Sequence, residues 1–567
     1  MRGTVWPKRW PLLVLFAPFI PALAQTQNGM AQELLRQQER ERILREQQET
    51  LPDVRLPPVQ TPAPEQLPDK ESPCFPISQI RLEGDQSPRF TWALRAADPA
   101  HDPATGRCLG TDGINVVMAR IQNAIIARGY VTTRVLAPAQ DLRAGQLTLT
   151  LVPGRVRDVR FTEETSLKAT AWNAVPIRRG DLLNLRDIEQ ALENFKRVPT
   201  VEADIQIVPA EGDDARPGDS DLLIAWQQRS PPIRLSAHLD DSGSKSTGKL
   251  QGGVTVSLDD LLMLNDLFYV NLNYDLFSSR GKGNRAQTFH YSVPYGYWTL
   301  GATISSYKYH QTIAGYNQGY VYSGTSDNAE LRLSRLVYRD ATRKTALFGR
   351  AWTRRSSNFI DDVEIEVQNR RTGGWELGVT HREYLGNSTL DASVAYRRGT
   401  GAFKAKSAPE EPFGEGTSRM KLITADVQLM APFSLGTQRA RYISSWRAQW
   451  NRTPLVPQDR FSIGGRYSVR GFDGELMLMG ERGWVWRNEI GVAVGAGQEL
   501  YLGADYGHVG GPSTRWLQGR NLAGSVIGLR GGAKGFYWDL YAGVPLHKPE
   551  GFKTDSVTTG FTLSWSY

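Results

Sequence analysis

The chain has 567 residues, too many for one compact soluble domain and enough for two to four units. Aromatic residues make up 10% of it and glycine is abundant, but its second half shows neither alternating helices and strands nor apolar core runs, which speaks against a soluble enzyme. The net charge of +8 is dispersed without a dense Lys/Arg cluster, which excludes a nucleic-acid surface of the usual kind.

Residues 1–24 read as an export leader. Arg2, Lys8 and Arg9 form a basic start, Pro11 to Pro21 an apolar run, and Ala22-Leu23-Ala24 a small-residue cleavage site that places the mature start at Gln25. That run is too short for a membrane helix, which needs about 20 apolar residues, and nothing later in the chain is long and apolar enough either. An exported chain without a membrane helix is periplasmic, secreted or an outer-membrane barrel.

Residues 25–49 follow as a helix rich in Glu, Arg, Gln and Leu. Its apolar positions, Met30, Leu34, Leu35, Ile43 and Leu44, are too few for a core stripe, so it belongs in water or in a polar cavity. Residues 50–73 hold Pro52, Pro57, Pro58, Pro62, Pro64, Pro68 and Pro73 and form an extended, semi-rigid linker that tethers the helix.

Cys74 and Cys108 are the only cysteines. In an oxidising compartment they read as one disulfide, closing a loop of about 35 residues and contributing roughly 3 to 4 kcal/mol. Two free thiols are the alternative; a metal site has no further Cys or paired His to support it.

Two small α/β units occupy 74–153 and 154–230. In the first, Phe75 to Glu83 reads as a strand, Gly113 to Arg128 as an amphipathic helix, and Tyr130 to Leu136 and Gln146 to Val152 as strands. The second repeats the order with Val156 to Thr162, Leu185 to Val198, Ala203 to Val208 and Asp221 to Gln227. Strand, helix, strand, strand, with Gly129-Tyr130 after the first helix, resembles the POTRA domain of outer-membrane assembly and transport proteins. That family's extra short helix before the main one has no clear counterpart in the sequence.

From 231 to 567 the pattern changes to period two. Phe561, Leu563, Trp565 and Tyr567 alternate with Thr562, Ser564 and Ser566, and Trp298, Leu300, Ala302 and Ile304 with Thr299, Gly301, Thr303 and Ser305. Strands of about 10 residues with aromatic ends fit a transmembrane barrel whose apolar face meets lipid and whose polar face lines a lumen. At roughly 20 residues per strand and connection, about 16 antiparallel strands are expected, enough for an aqueous channel.

Enzyme signatures are missing: no HExxH, GxSxG or CxxC occurs, and the histidines are scattered. The run from Gly243 through Gly248 and Lys249 imitates a phosphate-binding loop, but Leu250 stands where Ser or Thr should hold magnesium and a strand, not a helix, follows. It reads as a flexible hairpin loop, and the expectation is no nucleotide, no metal and no cofactor.

The long connection from about Asn451 to Arg482 contains Val469-Arg470-Gly471-Phe472. Val469 and Phe472 are apolar where solvent alone favours polar groups, so the loop is expected to pack inside the lumen, with Arg470 seeking a carboxylate. Parity supplies one. Leu500, Leu502, Ala504 and Tyr506 form a lipid-type face, so Asp505 points inward, with Gly503 and Gly507 leaving room for a guanidinium. On these residues alone, a solvated loop arginine remains the plainer reading.

These motifs carry a more specific resemblance. Val469-Arg470-Gly471-Phe472 resembles the VRG(Y/F) signature, and Gly503-Ala-Asp505-Tyr-Gly507 the downstream xDxG motif, of the superfamily that joins barrel insertases and two-partner exporters. Tyr291-Ser-Val-Pro-Tyr-Gly296 and the run Asp259 to Asp266 look like barrel segments of the haemolysin and adhesin exporters, the TpsB family. Asp259-Asp260 departs from the commoner Asp-Asn-Pro run, and Tyr567 replaces the usual terminal Phe. The likeness covers nearly the whole mature chain. It implies an outer-membrane transporter with a plug helix and two periplasmic POTRA domains. These would capture a large exoprotein, a haemolysin, adhesin or growth-inhibition toxin, by its N-terminal secretion domain. Export would proceed without ATP. The barrel would be surrounded by outer-membrane lipid and inserted by the barrel assembly machinery, with Phe561, Leu563, Trp565 and Tyr567 as its C-terminal assembly signal. A barrel insertase, which the resemblance implies would carry more POTRA copies and no plug, and a solute porin, which would need no periplasmic units, are the alternatives.

Overall fold

The computed structural model describes residues 20–49, 52–57, 66–279, 281–495 and 497–567. Most of the leader and the middle of the proline linker therefore lie outside the described residues. Residues 20–24, assigned to the leader from the sequence, form the start of a helix, α1 (Ile20–Gln48). No proline follows Pro21 within it, and Arg42 pairs with Glu39 and Glu46 one turn away on either side, which favours the helical state locally.

The first α/β unit builds a three-stranded sheet in which Gln79–Glu83 runs parallel to Gln146–Val152, and Arg134–Leu136 antiparallel to it. Gln146–Val152 alternates buried and half-buried residues, so Leu147, Leu149 and Leu151 face α2 (Thr111–Ala127), whose Val117, Ile121 and Ile125 complete the core. The unclear short helix is present as 3-10 turns at Ser87–Arg89 and Thr91–Ala97. Such turns are too short to leave a period in the sequence. Cys74 and Cys108 are joined, with Cα atoms 5.3 Å apart, beside the two-residue ladder of Phe75–Pro76 with Cys108–Leu109.

The second unit repeats the plan. Arg155–Phe161 lies parallel to Asp219–Gln228, which pairs antiparallel with Val201–Pro209, and α3 (Leu185–Lys196) covers the sheet. Asn184 caps α3 by accepting a hydrogen bond from the Arg186 amide at 2.9 Å. The core of this unit, with Phe195, Ile224 and Trp226, continues into Leu267 and Tyr269 of the following sheet.

That sheet is a closed barrel of sixteen main antiparallel strands. They are β1 (Ile233–Asp240), β2 (Gln251–Asp259), β3 (Leu267–Asp275), β4 (Lys282–Tyr295), β5 (Trp298–Ala314), β6 (Gly319–Arg339), β7 (Arg343–Ile360) and β8 (Arg370–Leu385). The second half is β9 (Ser388–Gly399), β10 (Lys421–Leu435), β11 (Gln438–Asn451), β12 (Arg482–Gly495), β13 (Gln498–Gly510), β14 (Asn521–Ala533), β15 (Phe536–His547) and β16 (Thr558–Ser566). The strands from β4 to β15 are longer than the ten or so residues expected, up to 21 in β6, while β1, β2, β3 and β16 have eight or nine. Length beyond the membrane is compatible with period-two patterning, which does not itself mark where the lipid ends. The Trp298 to Ile304 alternation lies in β5, with Leu300 and Ile304 exposed and Thr303 and Ser305 buried toward the lumen. Closure comes from β16 against β1, registered from Thr562↔Asp240 to Ser566↔Ser236.

The turn between β2 and β3 seats the second α/β unit. Asp266 accepts backbone hydrogen bonds from Leu262 and Leu264 at 3.1 Å, which stiffens the turn. Asp259 accepts from the Thr200 hydroxyl at 2.9 Å, and buried Arg197 donates to the Asn265 and Ser292 carbonyls at 3.1 and 2.9 Å. The acidic run from Asp259 to Asp266 is thus a docking turn.

Candidate functional site

The lumen is occupied by two pieces of chain. One is the connection between β11 and β12, which folds inward on a short ladder of Phe461–Ile463 with Leu478–Gly480. Val469 and Phe472 are buried with Ile463, Leu478, Val509, Leu522 and Phe552 in a cluster inside the barrel wall. This explains the apolar residues in a loop: they bury against the polar-side face of β13 and β14. Gly471 has φ of 93°, and a Cβ there would sit 2.4 Å from the Val544 carbonyl oxygen, so both conformation and space require glycine.

Arg470 is 7% exposed and meets Asp505 in a two-pronged pair: Nε donates to Oδ2 and Nη2 to Oδ1, both at 2.8 Å. Its backbone amide adds a third bond to Oδ2 at 2.9 Å. Asp505 lies on β13 with exposed Leu502 and Tyr506 on the opposite face, as the alternation required. Gly503 admits the guanidinium, since a Cβ there would lie 2.5 Å from Nη2. Gly507 serves the apolar part of the loop instead, making room for Val469 and Ile463, at 2.8 and 3.1 Å. Sequence reasoning missed Glu489, which accepts from Arg470 Nη1 at 2.5 Å and from Arg530 at 2.6 Å. The same parity argument could have found it, because Trp486 and Ile490 of β12 are outward and Glu489 is not.

The second piece is α1. Glu33 is buried and accepts from Arg36 at 2.6 Å, pairs with Arg40 at 3.4 Å, and takes the Tyr307 hydroxyl from the barrel wall. Arg36 also donates to the Gly474 carbonyl at 2.7 Å, so α1 touches the Arg470 loop directly. Farther along, Glu39 meets Arg447 at 2.7 Å and Arg45 meets Glu330 at 2.8 Å. Leu34 packs on Ala286, Tyr307, Tyr309 and Tyr322, and Ala31 and Leu35 on Met479. The few apolar positions of α1 are thus used in small groups, Leu34 against the wall and Ala31 and Leu35 against the inward loop, beside the charge pairs. The hairpin loop that imitates a phosphate-binding motif is also enlisted: Ser244 and Thr247 are buried, and Ser244 reaches Glu33 at 3.4 Å. It is packed, not freely flexible as expected.

The C-terminal residues stand apart from Arg470. Leu563 and Tyr567 are exposed, Trp565 stacks with Tyr567 at 6.4 Å, and the Tyr567 backbone still pairs with Leu235. A link to the loop exists one residue away. Arg466 donates to the Thr562 hydroxyl at 2.9 Å and to Asp241 at 3.0 Å, while Asp241 also accepts the Phe561 amide at 3.0 Å. The loop is thereby fastened to both strands of the barrel's closing seam. The disulfide pair Cys74 and Cys108 lies in the first α/β unit, outside the lumen.

The described parts of the linker are docked, not merely extended. The Val54 and Leu56 amides donate to Glu193 and Glu189 of α3 at 3.1 and 2.8 Å, and Asp53 meets Lys344 of the barrel at 3.0 Å. Glu71 accepts from the Gly110, Asp112 and Gly113 amides at 2.8 to 3.1 Å, capping α2 from a distance.

Known proteins share this layout. Residues 218–531 match the family described as haemolysin secretion/activation protein ShlB/FhaC/HecB. Residues 75–154 match the ShlB-type POTRA domain and 155–209 a further POTRA domain. Outer membrane transporter CdiB-2 of Burkholderia pseudomallei is 39% identical over 524 residues, covering 89% of this chain and 88% of that protein. The solved CdiB from Acinetobacter baumannii is 34% identical, with a TM-score of 0.82 over 95% of this chain and 99% of its own. CdiB from Escherichia coli is 25% identical, with a TM-score of 0.83 over 95% and 98%.

Proposed function

The chain belongs to the haemolysin secretion/activation family of ShlB, FhaC and HecB, the outer-membrane two-partner exporters, and from that premise we propose how its lumen works. It is an outer-membrane transporter, with POTRA domains on the periplasmic side, that secretes a partner exoprotein. The observation that carries the mechanism is a wide closed barrel occluded by two pieces of chain, α1 held mainly by charge pairs and the Arg470 loop held by charge pairs together with an apolar cluster. Polar contacts can be exchanged for water, so α1 can leave the pore without unfolding the wall.

In this reading the Arg470 loop, clamped by Asp505 and Glu489, is the fixed element and α1 the mobile one. The POTRA domains take an extended secretion domain of the cargo at a sheet edge, as in β-augmentation. Gln79–Glu83 and Arg134–Leu136 flank the first sheet and supply such edges. No nucleotide or catalysis enters the scheme, and folding of the cargo outside supplies direction. The C-terminal aromatic strand addresses the chain to the barrel assembly machinery. An insertase or a porin is not favoured, since the relatives that span the chain are named as transporters.

The test is co-expression with a candidate exoprotein that carries an N-terminal secretion domain. Cargo should reach the medium with the intact chain and stay in the periplasm when residues 74–230 are deleted. Equal release without them would overturn POTRA capture.

A further inference from the structure

The barrel carries a second pattern of charge on its outer wall. On the face that meets lipid, at the end away from the POTRA domains, cations stand directly opposite cations on neighbouring strands. Arg285 of β4 is registered with Lys308 of β5, Arg355 of β7 with Arg371 of β8, and Arg398 of β9 with Lys421 of β10. Five of the six share their strand parity with exposed apolar residues nearer the membrane centre: Arg285 with Phe289, Lys308 with Ile304, Arg355 with Leu347, Arg371 with Leu377 and Arg398 with Val394. Phe289 lies four residues from Arg285 and Ile304 four from Lys308, which is about 13 Å along a strand. Val394 is likewise four residues from Arg398, whereas Leu377 is six from Arg371 and Leu347 eight from Arg355, so the cations stand beyond the apolar band at unequal heights.

Like charges directly opposite each other destabilise a sheet. The lumen holds opposed cations too, Arg332 against Arg350 and Lys344 against Arg339 and Arg382, but acids are interleaved with them: Arg350 lies between Glu330 and Glu376, Arg339 and Lys344 hold Glu193, and Arg382 holds Asp391. On the outer rim, none of the six cations makes an ion pair among the described residues. The acids that face them are Asp327, registered opposite Arg355 and already bonded to the Ser306 hydroxyl at 2.7 Å, and Glu364, near Arg355. Between Arg285 and Lys308 the wall has a recess of about 220 Å³, lined also by Tyr274, Gln287 and Ser306. Its lining thus offers two cations, the Tyr274 hydroxyl and the Gln287 amide as donors for a phosphate, the Ser306 hydroxyl being spent on Asp327.

We propose that this rim binds the phosphorylated headgroups of the glycolipid that forms the outer leaflet of the bacterial outer membrane. Each headgroup phosphate bridges one opposed cation pair, and its acyl chains cover the apolar residues below. A free anion could neutralise the cations but not cover that band, which favours the lipid. The inference rests on the outer-membrane reading and on the orientation that the POTRA domains impose.

The experiment is native mass spectrometry of the full-length protein extracted in mild detergent from the outer-membrane fraction, with added lipid A, lipid A stripped of its phosphates, or inorganic phosphate. Wild type should retain lipid A at least tenfold better than the stripped lipid, and inorganic phosphate alone should leave no adduct. The paired variants Arg285→Gln/Lys308→Gln, Arg355→Gln/Arg371→Gln and Arg398→Gln/Lys421→Gln should each lower retention, with the barrel still heat-modifiable. Equal retention of the stripped lipid, equal retention by all three variants, or binding of inorganic phosphate without lipid preference overturns the proposal. Cargo release from the same cells reports separately on the transporter reading. Should a variant fail to insert, the wild-type comparison of the two lipids still decides.

Discussion

Arg470 is held by two carboxylates and its own backbone amide, and each bond depends on the others for position. Removing one member of a desolvated pair leaves the other uncompensated, at a cost of up to about 3 to 5 kcal/mol, reduced where lumen water screens it. Arg470→Ala and Asp505→Ala should each reduce export while heat-modifiable barrel remains in the membrane, because the strand ladder does not use the pair. The double variant should export no worse than the weaker single. Independent multiplication of the two losses, or normal export by Arg470→Ala, returns Arg470 to a loop residue of no special importance. Parity alone makes Asp505 legible in the sequence, since one face of β13 is plainly apolar. Arg466 and Asp241 are not legible there, because their partners lie on strands that meet only when the barrel closes.

At the scale of elements, α1 is a helix whose surface fits no soluble core yet fits a charged lumen. Its contacts are spread over β2, β5, β6, β11 and the Arg470 loop, so no single strand holds it. Deleting residues 28–49 should raise single-channel conductance in planar bilayers severalfold without preventing insertion. Unchanged conductance would place the resting barrier elsewhere, in the Arg470 loop alone. The sequence declares the helix too polar to pack in a hydrophobic core. It cannot name the partners, because Arg447 and Glu330 belong to long strands in which inward charges recur and register alone selects one.

Across the whole molecule, the second POTRA domain, the linker and the barrel meet at one buried charge cluster. Arg339, at the end of β6, has a side chain only 3% exposed and holds Glu189 and Glu193 of α3 at 2.9 Å each, while donating to the Val54 carbonyl at 2.6 Å. Arg339→Ala removes the cation that bridges both carboxylates and the Val54 carbonyl, leaving Glu189 to Arg186 and Glu193 to Lys344. Hydrogen exchange should then accelerate by an order of magnitude or more in α3 and residues 52–57, with the barrel strands unaffected. Unaltered exchange would mean that the apolar continuity through Leu267 and Tyr269 suffices to hold the joint.

By itself the sequence determined the quantities that repeat locally: two strand–helix–strand–strand units, a polar helix before a proline linker, and period-two strands with an aromatic last one. These follow from backbone geometry, in which a face is set by parity and a helix by propensity. The pair of cysteines is also visible in the sequence, though composition leaves bridge and free thiols both open and only the fold brings the two together. Tertiary structure alone decided what depends on closure and register. It turned the hairpin loop at Ser244 and Thr247 into part of the plug's seat, gave Gly507 to Val469 instead of the guanidinium, and brought Glu489 to Arg470. It also set cation against cation on the outer wall. Each of these joins residues far apart in the chain, and a barrel fixes such neighbours only when its last strand finds its first.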